Sequence, residues 1–177
     1  MIKLVLLIAI AFALLTSEAL PCGTELWSLK VLPDANAPTT FNPTIAHLTT
    51  LPAPNPHFSR TRLERNTYHI RATLVTYRQE SDEDYRLALA DDKGNTMIAE
   101  IPSPHCAPSQ KLATIWRGQR AQLDNAFGGG GDTWTKVNAP VVLTGVLFFD
   151  RPHGHRNVAP NAVELHPLLG LKTEGRP

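Results

Sequence analysis

The chain has 177 residues, a formal net charge of +1 and a charged fraction of 19 %. So even a balance excludes a chain-wide electrostatic surface for nucleic acid. Beyond the first twenty or so residues no stretch is long and apolar enough to span a bilayer.

Lys3 supplies a basic start, Leu4 to Leu15 is an unbroken apolar run, and Ser17-Glu18-Ala19 offers small residues around a cut. This is the layout of a secretory signal peptide over residues 1–19, with cleavage after Ala19. Two other readings of the segment are an uncleaved anchor and a lipoprotein acylated at Cys22, for which Pro21 is a poor preceding residue. The mature chain of about 155 residues suits one domain with a single core. The expected location is secreted or periplasmic, with no stable membrane insertion after cleavage. Export would bring the two cysteines, Cys22 and Cys106, into an oxidising compartment. One disulfide closing a loop of roughly eighty residues is the simplest outcome, worth roughly 4 kcal/mol on chain-entropy grounds. The alternative is two buried free thiols.

Residues 20–66 read as an arm packed on the body. Leu26 to Leu32 alternates like a short strand, and Pro33, Pro38, Pro43, Pro52, Pro54 and Pro56 then punctuate the chain. Proline fixes φ and removes a ladder donor, so this backbone is extended or turn-like. Ile45, His47 and Leu48 fit a short turn of helix or strand.

The body spans 67–172, with 173–177 as a flexible tail. Tyr68, Ile70, Ala72 and Leu74 alternate with polar neighbours, the period of a strand. After the charged break Arg78 to Asp84, strands at Tyr85–Ala90 and Thr96–Ile101 flank an Asp-Asp-Lys-Gly-Asn turn. Pro108 and Ser109 start a helix whose face carries Leu112, Ile115, Trp116 and Leu123. Gly128 to Gly131 ends it. Val141–Phe149 and Ala162–Leu169 complete the set. The fold class is mostly β with one main α-helix. The order β-β-β-α-β-β is that of an OB-fold-like five-stranded barrel, shared with the staphylococcal-nuclease type. An α+β domain with an open antiparallel sheet is the competing architecture.

A barrel of that order binds ligands between its strand 1–2 and strand 4–5 loops. The first loop holds Glu80, Asp82, Glu83 and Asp84; the second holds Asp150, His153, His155, Asn157 and Asn161, with Glu164 and His166 beyond. Candidate ligand-binding residues are therefore Asp84, Arg86, Glu100, Asp150, His153, Asn161 and His166. Carboxylates with imidazoles suit a divalent cation as cofactor, and Asp82, Asp84, His153 and Glu164 are the candidate ligands. His153 and Glu164 are the candidates for acid–base work. The plainer reading is a solvated acidic loop, with Glu164 and His166 paired to Arg86, Arg151 or Arg156. Gly128 to Gly131 follows a helix and precedes no Lys-Ser/Thr pair, so it is not a phosphate loop.

Several of these motifs occur together elsewhere. Cys22-Gly23-x-Glu25-x-Trp27, Asp84-Tyr85, Thr96-Met97-Ile98-Ala99-Glu100-Ile101-Pro102 with Cys106 behind it, Phe148-Phe149-Asp150-x-x-His153-Gly154 and Ala159-Pro160-Asn161-x-x-Glu164-Leu165-His166-Pro167 resemble an uncharacterised family of small exported bacterial proteins. The resemblance covers nearly all the mature chain. It implies export, paired cysteines and a compact β body, and it brings no substrate. His155 stands where that family more often has glutamine, which argues against an essential role for it. A looser likeness to thermonuclease-type barrels, through Glu83, Asp84 and Glu100, is one of fold only.

The leading expectation is an exported, monomeric binding module for an unknown small ligand or protein partner, with nucleic acid disfavoured because strands 2 and 3 lack an aromatic pair. A metal-dependent hydrolase of the phosphodiesterase or nuclease kind is the alternative, and a structural accessory protein the third.

Overall fold

Alternating apolar residues make β2 (Thr67–Gln79) the spine of the sheet. It pairs antiparallel with β3 (Tyr85–Ala90) on one side and with β5 (Thr135–Phe149) on the other. β3 pairs with β4 (Thr96–Ile101), β4 runs parallel to β6 (Val163–Thr173), and β6 pairs back with β5. The pairings close a ring, β2-β3-β4-β6-β5, and the two-residue β1 (Thr40–Phe41) adds to β2 in parallel. The protein is thus mostly β, a six-stranded sheet with one main helix, α3 (Gln110–Phe127), between β4 and β5. The computed structural model describes residues 22–23, 26–31, 40–54, 59–152, 154 and 156–174; the signal-peptide reading of 1–19 lies outside them.

The ring's seams are unequal. β2 and β5 are in register from Thr67↔Val146 to Tyr77↔Thr135, whereas β4 and β6 match only at Ile98↔Glu164 and Ala99↔Leu165. The long partner explains why β5 starts at Thr135 and not at Val141: β2 offers ladder groups down to Tyr77. Alternation then sorts the side chains. Leu87, Leu89, Met97, Ala99, Ile101 and Leu165 face a core closed by Trp116 and Leu123 of α3. Ser109 caps that helix, its hydroxyl accepting from Leu112 N–H at 3.3 Å, and Trp116 Nε1–H donates to Leu168 O at 3.1 Å. Residues one step out of phase, Arg86, Glu100, Glu164 and His166, point to the other face.

The arm departs from the alternating pattern of Leu26 to Leu32. Trp27–Lys30 is one helical turn, α1, with Lys30 N–H on Leu26 O at 3.0 Å and Val31 N–H on Trp27 O at 3.1 Å. No sheet edge is used here. Instead Arg60 takes the end of the turn, donating from Nε to Leu29 O (2.8 Å) and from Nη2 to Lys30 O (3.2 Å). Helix-end carbonyls need such partners, and a buried guanidinium supplies two at once. The Cys22–Cys106 disulfide ties this turn to the start of α3, and free cysteines are absent. Ile45–Leu48 forms a second short turn, α2.

The turn before β6 spans Ala159 to Ala162. Ala162 N–H closes it on Ala159 O at 2.8 Å, and Ala162, not Asn161, carries the positive φ of 56°. The Asn161 amide donates to Leu48 O and Leu51 O, both at 2.9 Å, while its Oδ1 accepts from Val163 N–H at 3.3 Å. The side chain thereby holds the end of α2.

The glycine run after α3 also has a steric reason. Gly130 sits at φ +87°, and a Cβ there would lie 2.1 Å from Tyr85 Oη and 2.7 Å from Asp124 Oδ1. Tyr85 and Tyr77 hydroxyls donate to Asp124, so the loop must pass bare over this cluster.

Two outcomes follow for stability. Gly130→Ala should cost on the order of 2–3 kcal/mol in urea unfolding, clash added to φ strain. Gly94→Ala, with positive φ but open space around it, should cost about 1 kcal/mol; equal losses at the two sites would refute the steric account. Asn161→Leu should lose about 2 kcal/mol by stranding two carbonyls, and an unchanged melting temperature would show that the clasp contributes nothing.

Candidate functional site

Alternation places a row of polar side chains across three strands on the non-core face. Arg86 on β3 is in register with Glu100 on β4. The parallel β4–β6 register, Ile98↔Glu164 and Ala99↔Leu165, leads on to Glu100 beside His166. Asp84, just before β3, completes the group. These residues would be exposed on a bare sheet. Here Asp84, Glu100, Glu164 and His166 are all buried, between 1 % and 5 % exposed.

The cover is α1. Trp27 meets the His166 ring edge-on, with centroids 6.4 Å apart. Lys30 Nζ sits 5.5 Å above the Phe148 ring and reaches Asp150 Oδ2 at 3.0 Å and Glu164 Oε1 at 3.7 Å. The Lys30 carbonyl lies 3.3 Å from His166 Nδ1, so that nitrogen carries the proton and donates. His166 Nε2 then faces Glu100 Oε2 at 3.2 Å and Asp84 Oδ2 at 3.5 Å. The other oxygen of each carboxylate is occupied. Ser103 N–H donates to Asp84 Oδ1 at 2.8 Å, and Arg86 Nη1 donates to Glu100 Oε1 at 3.0 Å. Arg86 also lies 3.6 Å from Glu80 Oε2.

Burial and charge pull these groups in opposite directions. Burial alone would lower Lys30, but the Glu164, Glu100 and Asp150 carboxylates outweigh it and hold the ammonium far above its ordinary range. Burial would likewise lower His166, yet the carboxylates of Asp84 and Glu100 push it up to about 9. Burial raises Glu164, with Lys30 offsetting only part of the effect. Asp84 and Glu100 part company although both face His166. Burial dominates at Asp84 and raises it, whereas His166, Lys30 and Arg86 together hold Glu100 well below the usual carboxylate range.

The expected site residues fall into three groups. Asp84, Arg86, Glu100, Asp150, Glu164 and His166 share one connected network. Asn161 lies apart, bound to α2. His153, like His155, lies outside the described residues, so the sets built on it are represented here by Asp82, Asp84 and Glu164 alone. Of these, Asp82 Oδ1 accepts from Asp84 N–H at 3.2 Å, and Glu164 turns to Lys30. Lys30 itself carried no signal in the sequence, because its partners lie more than a hundred residues away.

A cavity of about 380 Å³ opens beside this network. Thr76, Arg78, Glu80 and Arg86 line it from the β2–β3 side, Arg156 and Asn157 from the β5–β6 loop, and Trp134 from the start of β5. Residues of the two expected loops therefore share one depression. The Arg78 guanidinium stacks 4.8 Å over Trp134, and its Nη2 donates to Glu80 Oε1 at 2.9 Å. Arg78 Nε is buried and makes no hydrogen bond. Trp134 remains 44 % exposed. Among the described residues, no helix is long and apolar enough to cross a membrane. No protein-family model matches the chain, and no curated protein matches it.

Lys30→Met should destabilise the protein by about 3 kcal/mol, because it leaves buried carboxylates facing each other. Adding Glu164→Gln to Lys30→Met should recover at least about 1 kcal/mol in chemical unfolding. Additive losses in that cycle would show that the pair is not coupled.

Proposed function

We propose that this protein is an extracytoplasmic, OB-like binding module of the exported bacterial family its motifs resemble, and that it takes a compact anion with an apolar or aromatic part. The observation that carries the reading is the cavity between the β2–β3 and β5–β6 loops. Its lining sets three guanidinium groups, Arg78, Arg86 and Arg156, against one carboxylate, Glu80. Arginine forks suit carboxylate and phosphate oxygens, and a half-exposed Trp134 offers a flat apolar wall. The volume falls in the range of small-molecule sites. The closed ring of strands supports the barrel reading, and the disulfide supports an oxidising location.

A hydrolase using Glu164 as acid or base has less support. Glu164 is 4 % exposed beneath α1, and a catalytic group has to reach its substrate.

Titration with phenyl phosphate, benzoate and inorganic phosphate, followed by tryptophan fluorescence, tests the assignment. Saturable binding of the aromatic anions is expected, tighter than that of phosphate. Arg156→Ala and Trp134→Ala should each weaken it about tenfold with unfolding unchanged. The absence of saturable binding by any of the three at millimolar concentration would refute the anion site.

A further inference from the structure

Across the sheet from the core, the atoms that face one another in the polar row are not simply paired. Asp84, Glu100 and His166 each place one potential ligand atom within 4.8 Å of the other two, and all three residues are buried. His166 is 1 % exposed, and its Nε2 makes no aligned hydrogen bond even though two carboxylate oxygens stand at 3.2 and 3.5 Å. The nitrogen is thus held at ion-pair distance from two carboxylates but in hydrogen-bond alignment with neither, an uncommon arrangement for a buried polar atom.

We propose that Asp84, Glu100 and His166 are the ligands of a zinc ion that fastens β3, β4 and β6 together beneath the N-terminal arm. Three observations converge on it. The first is spacing. Zinc–ligand distances of about 2.0–2.1 Å in a tetrahedron put neighbouring ligand atoms about 3.3–3.4 Å apart, the separation found around Nε2. The second is the outer support. Each ligand group has its remaining polar atom held by a neighbour: Nδ1 by Lys30 O, Asp84 Oδ1 by Ser103 N–H, and Glu100 Oε1 by Arg86. That is how metal-binding histidines and carboxylates are oriented. The third is position. The β4–β6 ladder matches only at Ile98↔Glu164 and Ala99↔Leu165, and Glu100 and His166 come immediately after it. An ion there would join the two strands where the backbone pairing runs out.

The donor set favours zinc over calcium or magnesium. One imidazole and two carboxylate oxygens suit zinc, whereas the harder ions require six or more oxygens and retain water. A further donor of the right type, Glu164 Oε1, is also buried without a hydrogen bond, two residues before His166 on the same strand. The site differs from the set anticipated from sequence, sharing only Asp84 with it. It does not rest on the anion cavity, and either can fail alone.

The test uses the mature chain with its disulfide intact, stripped by chelator and titrated with zinc by calorimetry and elemental analysis. One zinc per chain is expected, together with a higher melting temperature and slower amide exchange in β4 and β6. His166→Gln and Asp84→Asn should each weaken zinc at least about 100-fold, since loss of a mere outer partner already costs 10–100-fold. Failure of the intact chain to hold zinc overturns the proposal, and so does unchanged affinity in His166→Gln. Should both variants fail to fold, cobalt substitution of the wild-type chain decides. Intense visible bands of four-coordinate cobalt without a thiolate band support the site, and the weak spectrum of six-coordinate cobalt refutes it.

Discussion

Three carboxylates on one face of the sheet, those of Asp84, Glu100 and Glu164, are almost wholly removed from water, and the rest of the structure is arranged so that they can be. An isolated buried carboxylate is too costly to keep charged, so cations have to come to it. Arg86 and His166 arrive from neighbouring strands by register. The third cation, Lys30, comes from the far end of the chain. This gives the N-terminal turn its place: Arg60 holds its carbonyls, the disulfide tethers it, and Trp27 closes over the imidazole.

The sheet therefore has two buried faces of different character. One is an ordinary apolar core sealed by α3. The other is a polar layer under a short lid, where each hydrogen bond and charge must be matched. Arg86 connects the layer to the open cavity: it bonds Glu100 inside and lines the depression beside Glu80. A ligand in the cavity would thus touch the edge of the network beside the ring's shortest seam, β4–β6. The cavity and the buried network share this residue, which gives the rim a physical link to the strands below.

Much of the body was legible in the residues. The period-two runs at Tyr68–Leu74, Tyr85–Leu89 and Thr96–Ile101, the Ser109 cap and the 3.6-residue face through Leu112, Trp116 and Leu123 are local patterns, and local patterns report local structure. The pairing of Cys22 with Cys106 followed from there being only two cysteines. The meeting of Asp84, Glu100, Glu164 and His166 was within reach once the order of elements suggested which loops converge. The alternating look of Leu26 to Leu32 misled, because a four-residue turn held by Arg60 leaves no periodic trace long enough to recognise.

Local pattern was enough for the main strands of the body, for α3 and for the kinds of side chain near the site, since each of these depends on neighbours a few positions away. Folding alone settles that Asp84 and Glu164 are buried, that Lys30 faces Glu164 while His166 faces Asp84, that Asn161 grips α2, and that Arg78, Arg156 and Trp134 line one cavity. These facts rest on contacts between residues tens to more than a hundred positions apart. Coulombic attraction and desolvation act through space, and neither leaves a period or a spacing in the chain.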